Sequence, residues 1–206
     1  MHGQTFRKDS SMERLDADQL SGLLQAAAQG DQNAWNQLVD QFNGLLWAIT
    51  RAHRLGHADA ADVVQMTWTR LVENLDRIRK PEYVGSWLAT TARRECLRVL
   101  HHAGRAQPVE EPPEPVTVHR VDSEPETAAL TSERDMLLQR AMRELPPRCQ
   151  QLLGVLMAPE QPSYAEISAA LDLPIGSIGP TRARCLDCLR RHAARLGLVD
   201  ADSSAA

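Results

Sequence analysis

The chain has 206 residues, 43% of them hydrophobic but only 4% aromatic, so it can build one or two small cores on Leu, Ala and Val and suits helical bundles better than a β-sandwich. Its net charge of −4 leaves any contact with DNA to a locally basic surface rather than to a globally basic protein. No apolar run reaches the ~18 residues of a membrane span, and MHGQTFRKDSSMER lacks the apolar stretch of a secretory leader, so a cytoplasmic protein without membrane insertion is expected.

Residues 1–15 read as a disordered N-terminal extension. From there the pattern turns helical. Asp18 is a plausible N-cap for a helix through Leu20, Leu23, Leu24 and Ala27, closed by Gly30. Asp31 then caps a longer helix whose apolar positions are Trp35, Leu38, Val39, Phe42, Leu45, Leu46 and Ile49, with Gly56 as its stop. A third helix is expected from near Asp59, with Val63, Val64, Trp68, Leu71, Val72, Leu75 and Ile78 inward, until Pro81 blocks it. Arg77-Ile78-Arg79-Lys80-Pro81-Glu82-Tyr83 is then a short connection. The fourth helix turns Val84, Trp87, Leu88, Thr91, Ala92, Cys96 and Val99 inward and Arg93, Arg94 and Arg98 outward, ending near Gly104.

Composition then changes. Ala106 to Thr127 holds five prolines and six acids against one arginine, which cannot form a core and reads as an extended tether. A second helical unit starts near Leu130, with Leu137, Leu138, Ala141 and Met142 inward. Pro146-Pro147 opens the next helix, with Leu152, Leu153, Leu156 and Met157 inward. The fold expected is therefore all-α, with one helical bundle over 16–104, an acidic proline-rich linker over 105–129, a second unit over 130–197 and a polar tail over 198–206.

The stretch SYAEISAALDLPIGSIGPTRARCLDCLRRH, Ser163 to His192, carries the first functional signal. Ser163 and Glu166 stand at capping-box spacing, Ile167 and Leu171 point inward, and Asp172-Leu173-Pro174 makes a turn. A second helix follows with Ile178, Cys185 and Leu189 inward. Pro180 is costly deep in a helix, so Ser177 is taken as N-cap, which puts Pro180 in the first turn where its missing N–H costs nothing. This is the pattern of a helix-turn-helix. Ser177, Thr181, Arg182 and Arg184 then occupy the half of the second helix that meets bases, where arginine can read guanine bidentately. Between Ile175 and Leu196 five arginines face one acid, Asp187.

Chemistry of other kinds is not expected. The cysteines, Cys96, Cys149, Cys185 and Cys188, read as reduced thiols. Cys185 and Cys188 share a helix face, and with no second ligand pair nearby they read as packing residues rather than a metal site. There is no glycine-rich phosphate loop and no nucleophile constellation, and His53, His57, His101 and His102 lack partners at ligand spacing. No enzyme, catalytic residue, metal or cofactor is expected.

The two units together resemble the extracytoplasmic-function group of bacterial RNA polymerase sigma factors, within the sigma-70 family. AAAQGDQNAWNQLVDQF, ADVVQMTWTRLVENLDRI and GSWLATTARRECLRVL are similar to sigma region 2, and LPPRCQQLL followed by the helix-turn-helix is similar to region 4. The resemblance covers about 180 residues in the same order and spacing. It implies a protein that binds core RNA polymerase, recognises a promoter, melts its −10 element and starts transcription. Asp62, Gln65 and Arg70 would dock on a coiled coil of the polymerase β′ subunit, and region 4 on the β flap. Arg77, Arg79, Lys80 and Tyr83 would trap a base flipped from the non-template strand, which must offset an unpairing cost of a few kcal/mol. Arg93, Arg94 and Arg98 would hold phosphate beside it, and Ser177, Thr181, Arg182 and Arg184 would read the −35 element. Trp87, in the apolar stripe, is expected in the core. The tether, about 25 residues, reaches at most about 80 Å, and its acids Glu110, Glu111, Glu114, Asp122, Glu124 and Glu126 would mimic RNA in the polymerase channel. An anti-sigma factor is a possible partner.

Two positions depart from the family pattern. Met66 stands where relatives often carry an acid, and Gly179-Pro180-Thr181 replaces a more basic and polar run, so the −35 sequence does not carry over. Competing readings are a stand-alone helix-turn-helix regulator that binds DNA without polymerase, and a sigma-like adaptor that binds polymerase without initiating.

Overall fold

The computed structural model describes residues 15–103 and 125–198, and among these the secondary structure is entirely helical. The first bundle holds α1 (Ala17–Ala28), α2 (Gln32–Ala52), α3 (His57–Asn74) and α4 (Val84–Ala103), with 3-10 turns at Leu75–Arg77 and Pro81–Tyr83 between α3 and α4. The second holds α5 (Pro125–Arg143), α6 (Pro147–Leu156), α7 (Tyr164–Leu171) and α8 (Ile175–Arg195). The extension, the tail beyond Leu198 and the tether acids from Glu110 to Glu124 lie outside the described residues. Glu126 lies in α5, which begins at Pro125, five residues before the expected start of the second unit at 130.

Local chemistry sets the helix ends. Asp16, not Asp18, caps α1: its carboxylate accepts from the Gln19 amide at 2.8 Å while the Gln19 side chain accepts from the Asp16 amide at 2.9 Å. The reciprocal box needs a Gln or Glu three residues on, which Asp16 has and Asp18 does not. Asp31 caps α2 as expected, accepting from Asn33 and Ala34. The stop of α2 is made before Gly56. Arg54 takes a left-handed φ of 58°, and the amides of Arg54 and Leu55 donate to the carbonyls of Arg51 and Thr50. This is a Schellman closure on a non-glycine residue. Gly56 instead precedes α3 as its N-cap.

The first core is built on Leu38, Leu45, Leu46 and Ile49 of α2, Val63 and Leu71 of α3, and Val84 and Leu88 of α4, all fully buried. Each such side chain contributes roughly 1.5–3 kcal/mol over its exposed state. Trp35 and Trp68 meet edge-on, 5.6 Å between ring centroids, and tie α2 to α3. Val72 is exposed, contrary to expectation. It lies about 100° past Leu71 around the helix, outside the arc held by Val63, Val64, Thr67 and Leu71. Thr67 takes a buried place because its hydroxyl donates to the Val63 carbonyl at 2.7 Å, which satisfies it inside the bundle.

The second core is Ala141, Leu145, Leu152, Val155, Ile167, Ile178 and Cys185. Met157, expected inward, is exposed because it is the C-cap of α6 and has left the helical register, and Leu138 on α5 is exposed as well. The cysteines also differ from expectation. Cys149 and Cys185 form a disulfide between α6 and α8, while Cys96 and Cys188 remain free. A C-x-x-C spacing in sequence says nothing of a third thiol on a neighbouring helix, and α6 brings Cys149 to within 5.3 Å of Cys185, Cα to Cα.

The bundles are not held apart. Among the described residues α4 packs along α7 in the most extensive helix–helix contact, and α2 packs on α6, so the buried residues of both halves join in one hydrophobic cluster.

Candidate nucleic-acid interface

The break between α3 and α4 produces an exposed basic loop. Pro81 cannot continue a helix but suits the start of the short turn that leads into α4. Arg77, Arg79, Lys80 and Tyr83 all face solvent, with the Lys80 ammonium 5.6 Å from the centre of the Tyr83 ring.

Helix α4 extends this surface in a way the sequence reading missed. Its buried arc is Val84, Gly85, Leu88, Ala89, Ala92, Glu95 and Cys96. Trp87 falls outside that arc and is 37% exposed, so the expectation of a core tryptophan is wrong. Its face is shared, at helical spacing, by Thr91, Arg94 and Arg98. Tyr83 precedes Trp87 by four residues, and a groove lined by Arg94, Leu97, Arg98, His101 and His102 lies at the far end. The outcome is one strip of aromatic, then cationic, side chains. The spacing 83, 87, 94, 98 was a signal in the sequence, hidden because Trp87 also fits the apolar count.

The three arginines of α4 do not act alike. Arg94 is exposed. Arg98 pairs at 2.7 Å with Glu95, a nearly buried carboxylate, which also receives Arg70 of α3 at 2.8 Å. Glu95 therefore links one residue expected at polymerase to one expected at DNA, a bridge the sequence reading did not find. Arg93 sits about 100° away from Arg94 and pairs at 2.7 Å with Asp172 of the second bundle. On α3, Asp62 and Gln65 are exposed, while Arg70 is half-exposed and turned toward Glu95.

In the second bundle, Ser163 and Glu166 make the expected capping box at the start of α7. Asp172 ends α7 in the left-handed conformation, φ 56°, and the Ser168 hydroxyl closes on the Leu173 carbonyl at 2.6 Å. The start of α8 differs from expectation. The helix begins at Ile175, so Ser177 is not the N-cap: it lies in the first turn, donating to the Pro174 carbonyl at 2.7 Å, and Pro180 is interior. Gly179 makes this tolerable, since it offers no Cβ to clash with the proline ring. Arg182 and Arg184 are exposed, Ser177 and Thr181 are half-exposed, and Arg184 reaches the Thr181 hydroxyl at 3.4 Å. Among the described residues no cluster of His, Cys, Asp or Glu could hold a metal ion, and no helix is long and apolar enough to cross a membrane.

Residues 38–106, the span from α2 to the end of α4, match the family model of Sigma-70 region 2. Over 169 residues the chain is 25% identical to the ECF RNA polymerase sigma-E factors of Escherichia coli and Salmonella typhimurium, covering 76% of this chain and 84% of each relative. This chain carries a Sigma-70 region 2 segment and is similar along most of its length to extracytoplasmic-function sigma factors. Two solved structures share the fold of this chain. CnrH, in complex with the cytosolic domain of CnrY, matches with a TM-score of 0.52 at 23% identity over 91% of this chain and 100% of its own. The sigma factor RpoE of Bartonella quintana, in complex with the anti-sigma factor NepR, matches with a TM-score of 0.52 at 20% identity over 81% and 98%.

Proposed function

We propose that this chain binds core RNA polymerase, melts the −10 element on the strip from Arg77 to Arg98, and reads the −35 element with α8. The observation that carries this reading is the strip itself. Arg77, Arg79, Lys80, Tyr83, Trp87, Arg94 and Arg98 lie at or near the surface of the segment that matches Sigma-70 region 2. Tyr83 and Trp87 offer faces on which a flipped base stacks, and the cations beside them hold the displaced strand by its phosphates. Asp62 and Gln65 on α3 meet the β′ coiled coil, and the second bundle meets the β flap. Ser177, Thr181, Arg182 and Arg184 enter the major groove, with the first turn of α8 lending backbone amides to phosphate. An anti-sigma factor is a further partner, as one is for the Bartonella quintana relative.

The test mixes the purified chain with bacterial core polymerase and a library of promoter fragments, then sequences transcript starts. Starts that share a −10 and −35 pair and vanish without this chain are the expected result. DNA binding by the chain alone, with no start at any promoter, is the result of a stand-alone regulator. Core binding without starts is the result of an adaptor.

A further inference from the structure

Glu95 is the only acid of α4, and the helix turns it inward, 6% exposed, in the arc of Leu88, Ala92 and Cys96. A carboxylate in such a place has to be paired. Its Oε1 lies 2.8 Å from Arg70 of α3, and its Oε2 lies 2.7 Å from Arg98, three residues on. The two pairs do different things. Arg70 Nε is buried and has no hydrogen-bond partner, so that guanidinium is held by the carboxylate rather than by a network of its own. Arg98 meets Oε2 charge to charge, without the alignment of a hydrogen bond. Its side chain is 54% exposed and lines the groove with Arg94, Leu97, His101 and His102, so its other N–H groups stay open to solvent.

We propose that Glu95 is a positioning residue for −10 opening: anchored to α3 by Arg70, it holds the Arg98 guanidinium in one orientation on the strip, ready for a phosphate of the displaced strand. What Arg98 meets rests on the proposed function. That Glu95 orders Arg98 does not. Charge alone argues against an acid here. A carboxylate at ion-pair distance from Arg98 repels phosphate, so its removal should tighten any contact that depends on net charge. Orientation argues the other way. An arginine already held in one rotamer has less freedom to lose on binding, and its planar fork meets a phosphate at two N–H groups only when it is aimed. The two accounts differ in sign, so neutralising Glu95 separates them.

The test compares wild type, Glu95→Gln, Arg98→Ala and the double variant, with helical content checked by circular dichroism. Opening is followed by a fluorescent base in the −10 element of a promoter recovered by start mapping, at saturating core polymerase so that changes in docking do not enter. Glu95→Gln keeps the shape and removes the charge that Arg98 follows. It is expected to slow opening about tenfold, the effect of one charge-assisted contact, and the double variant is expected to be no slower than Arg98→Ala alone, because Glu95 acts through Arg98. Opening as fast as wild type or faster in Glu95→Gln overturns the proposal, and so do losses that multiply in the double variant, which a general weakening of the bundle would give. Arg70→Ala frees Glu95 from α3 without touching Arg98 and keeps the test alive if Glu95→Gln fails to fold; it too is expected to slow opening, and unchanged opening overturns the anchor. If Arg98→Ala opens like wild type, Arg98 leaves the strip and the positioning role falls with it. A slow Arg98→Ala beside a fast Glu95→Gln overturns the positioning alone and leaves the proposed function standing. The ordering is read separately from the guanidinium NMR signals of the free chain, expected to show hindered rotation at Arg98 in wild type and averaging in Glu95→Gln. Averaged signals in wild type, or no difference between the two, overturn the proposal whatever the promoter result.

Discussion

Trp87 shows how much can hang on one residue's angle around a helix. Counted as apolar, it fills a gap in the inward stripe of α4; in the structure the stripe is completed instead by Gly85, Ala89 and the nearly buried Glu95. A tryptophan left at the surface beside a basic loop is available for stacking, which is worth about 1–3 kcal/mol per base. Trp87→Ala is expected to lower the rate or extent of −10 opening roughly tenfold or more, with little change in thermal stability. A stopped-flow signal from a fluorescent base in the −10 element, set beside a melting curve, checks both halves. A large drop in melting temperature with unchanged opening would return Trp87 to the core. The exposed connection from Arg77 to Tyr83 was legible from sequence because Pro81 fixes a break and polar residues surround it, whereas its role on DNA came only from the resemblance. Glu95 was not, since an acid among arginines on a helix reads as a solvated face until a second helix brings Arg70 to it.

At the scale of elements, the second bundle is secured by two devices of different kinds. The Cys149–Cys185 disulfide closes a loop with a sequence separation of 36 residues. By the chain-entropy model such a crosslink is worth about 4 kcal/mol through the unfolded state. Reduction, or replacement of both cysteines by serine, is expected to lower the unfolding temperature of this bundle, read by calorimetry with and without reductant; equal temperatures would show that the bond adds nothing. The other device is Glu144 at the end of α5, which holds His192 at 2.9 Å and Arg195 at 3.1 Å on α8. The hydrogen bond with His192, then the charge of Arg195, holds its carboxyl below the usual carboxylate range. A lowered carboxylate pKa adds stability that is present above the ordinary value and is lost as pH falls through the lowered one. Glu144→Gln should therefore flatten the acid limb of the stability curve and leave no such step. The helix-turn-helix was legible because its capping box, its turn and its arginines are local signals. The true start of α8 was not, because an interior Pro180 loses a hydrogen bond and argued for a later start, while the helix accepts that loss with Gly179 offering no Cβ against the proline ring. Nor was the disulfide, which depends on how α6 lies against α8.

At the scale of the molecule, two helical units joined by a proline-rich acidic stretch could be read directly from hydrophobic periodicity and composition. Their contact could not. Gly44, Gly85 and Glu160 carry no local signal, and Glu166 and Asp172 read as a capping-box acid and a turn residue, with nothing to say that the two sets meet. That meeting also pairs Asp172 of the second bundle with Arg93 of the first. The central claim remains that the strip on α4 opens promoter DNA in the company of polymerase. The measurement that tests it most directly is permanganate reactivity of −10 thymines on a promoter fragment mixed with core polymerase and this chain. The account predicts reactive thymines with wild type, and their loss when Arg77, Arg79 and Lys80 are replaced by alanine while binding to core is retained. Reactive thymines of equal intensity in that variant, or none with wild type at any promoter that yields a transcript, would contradict it.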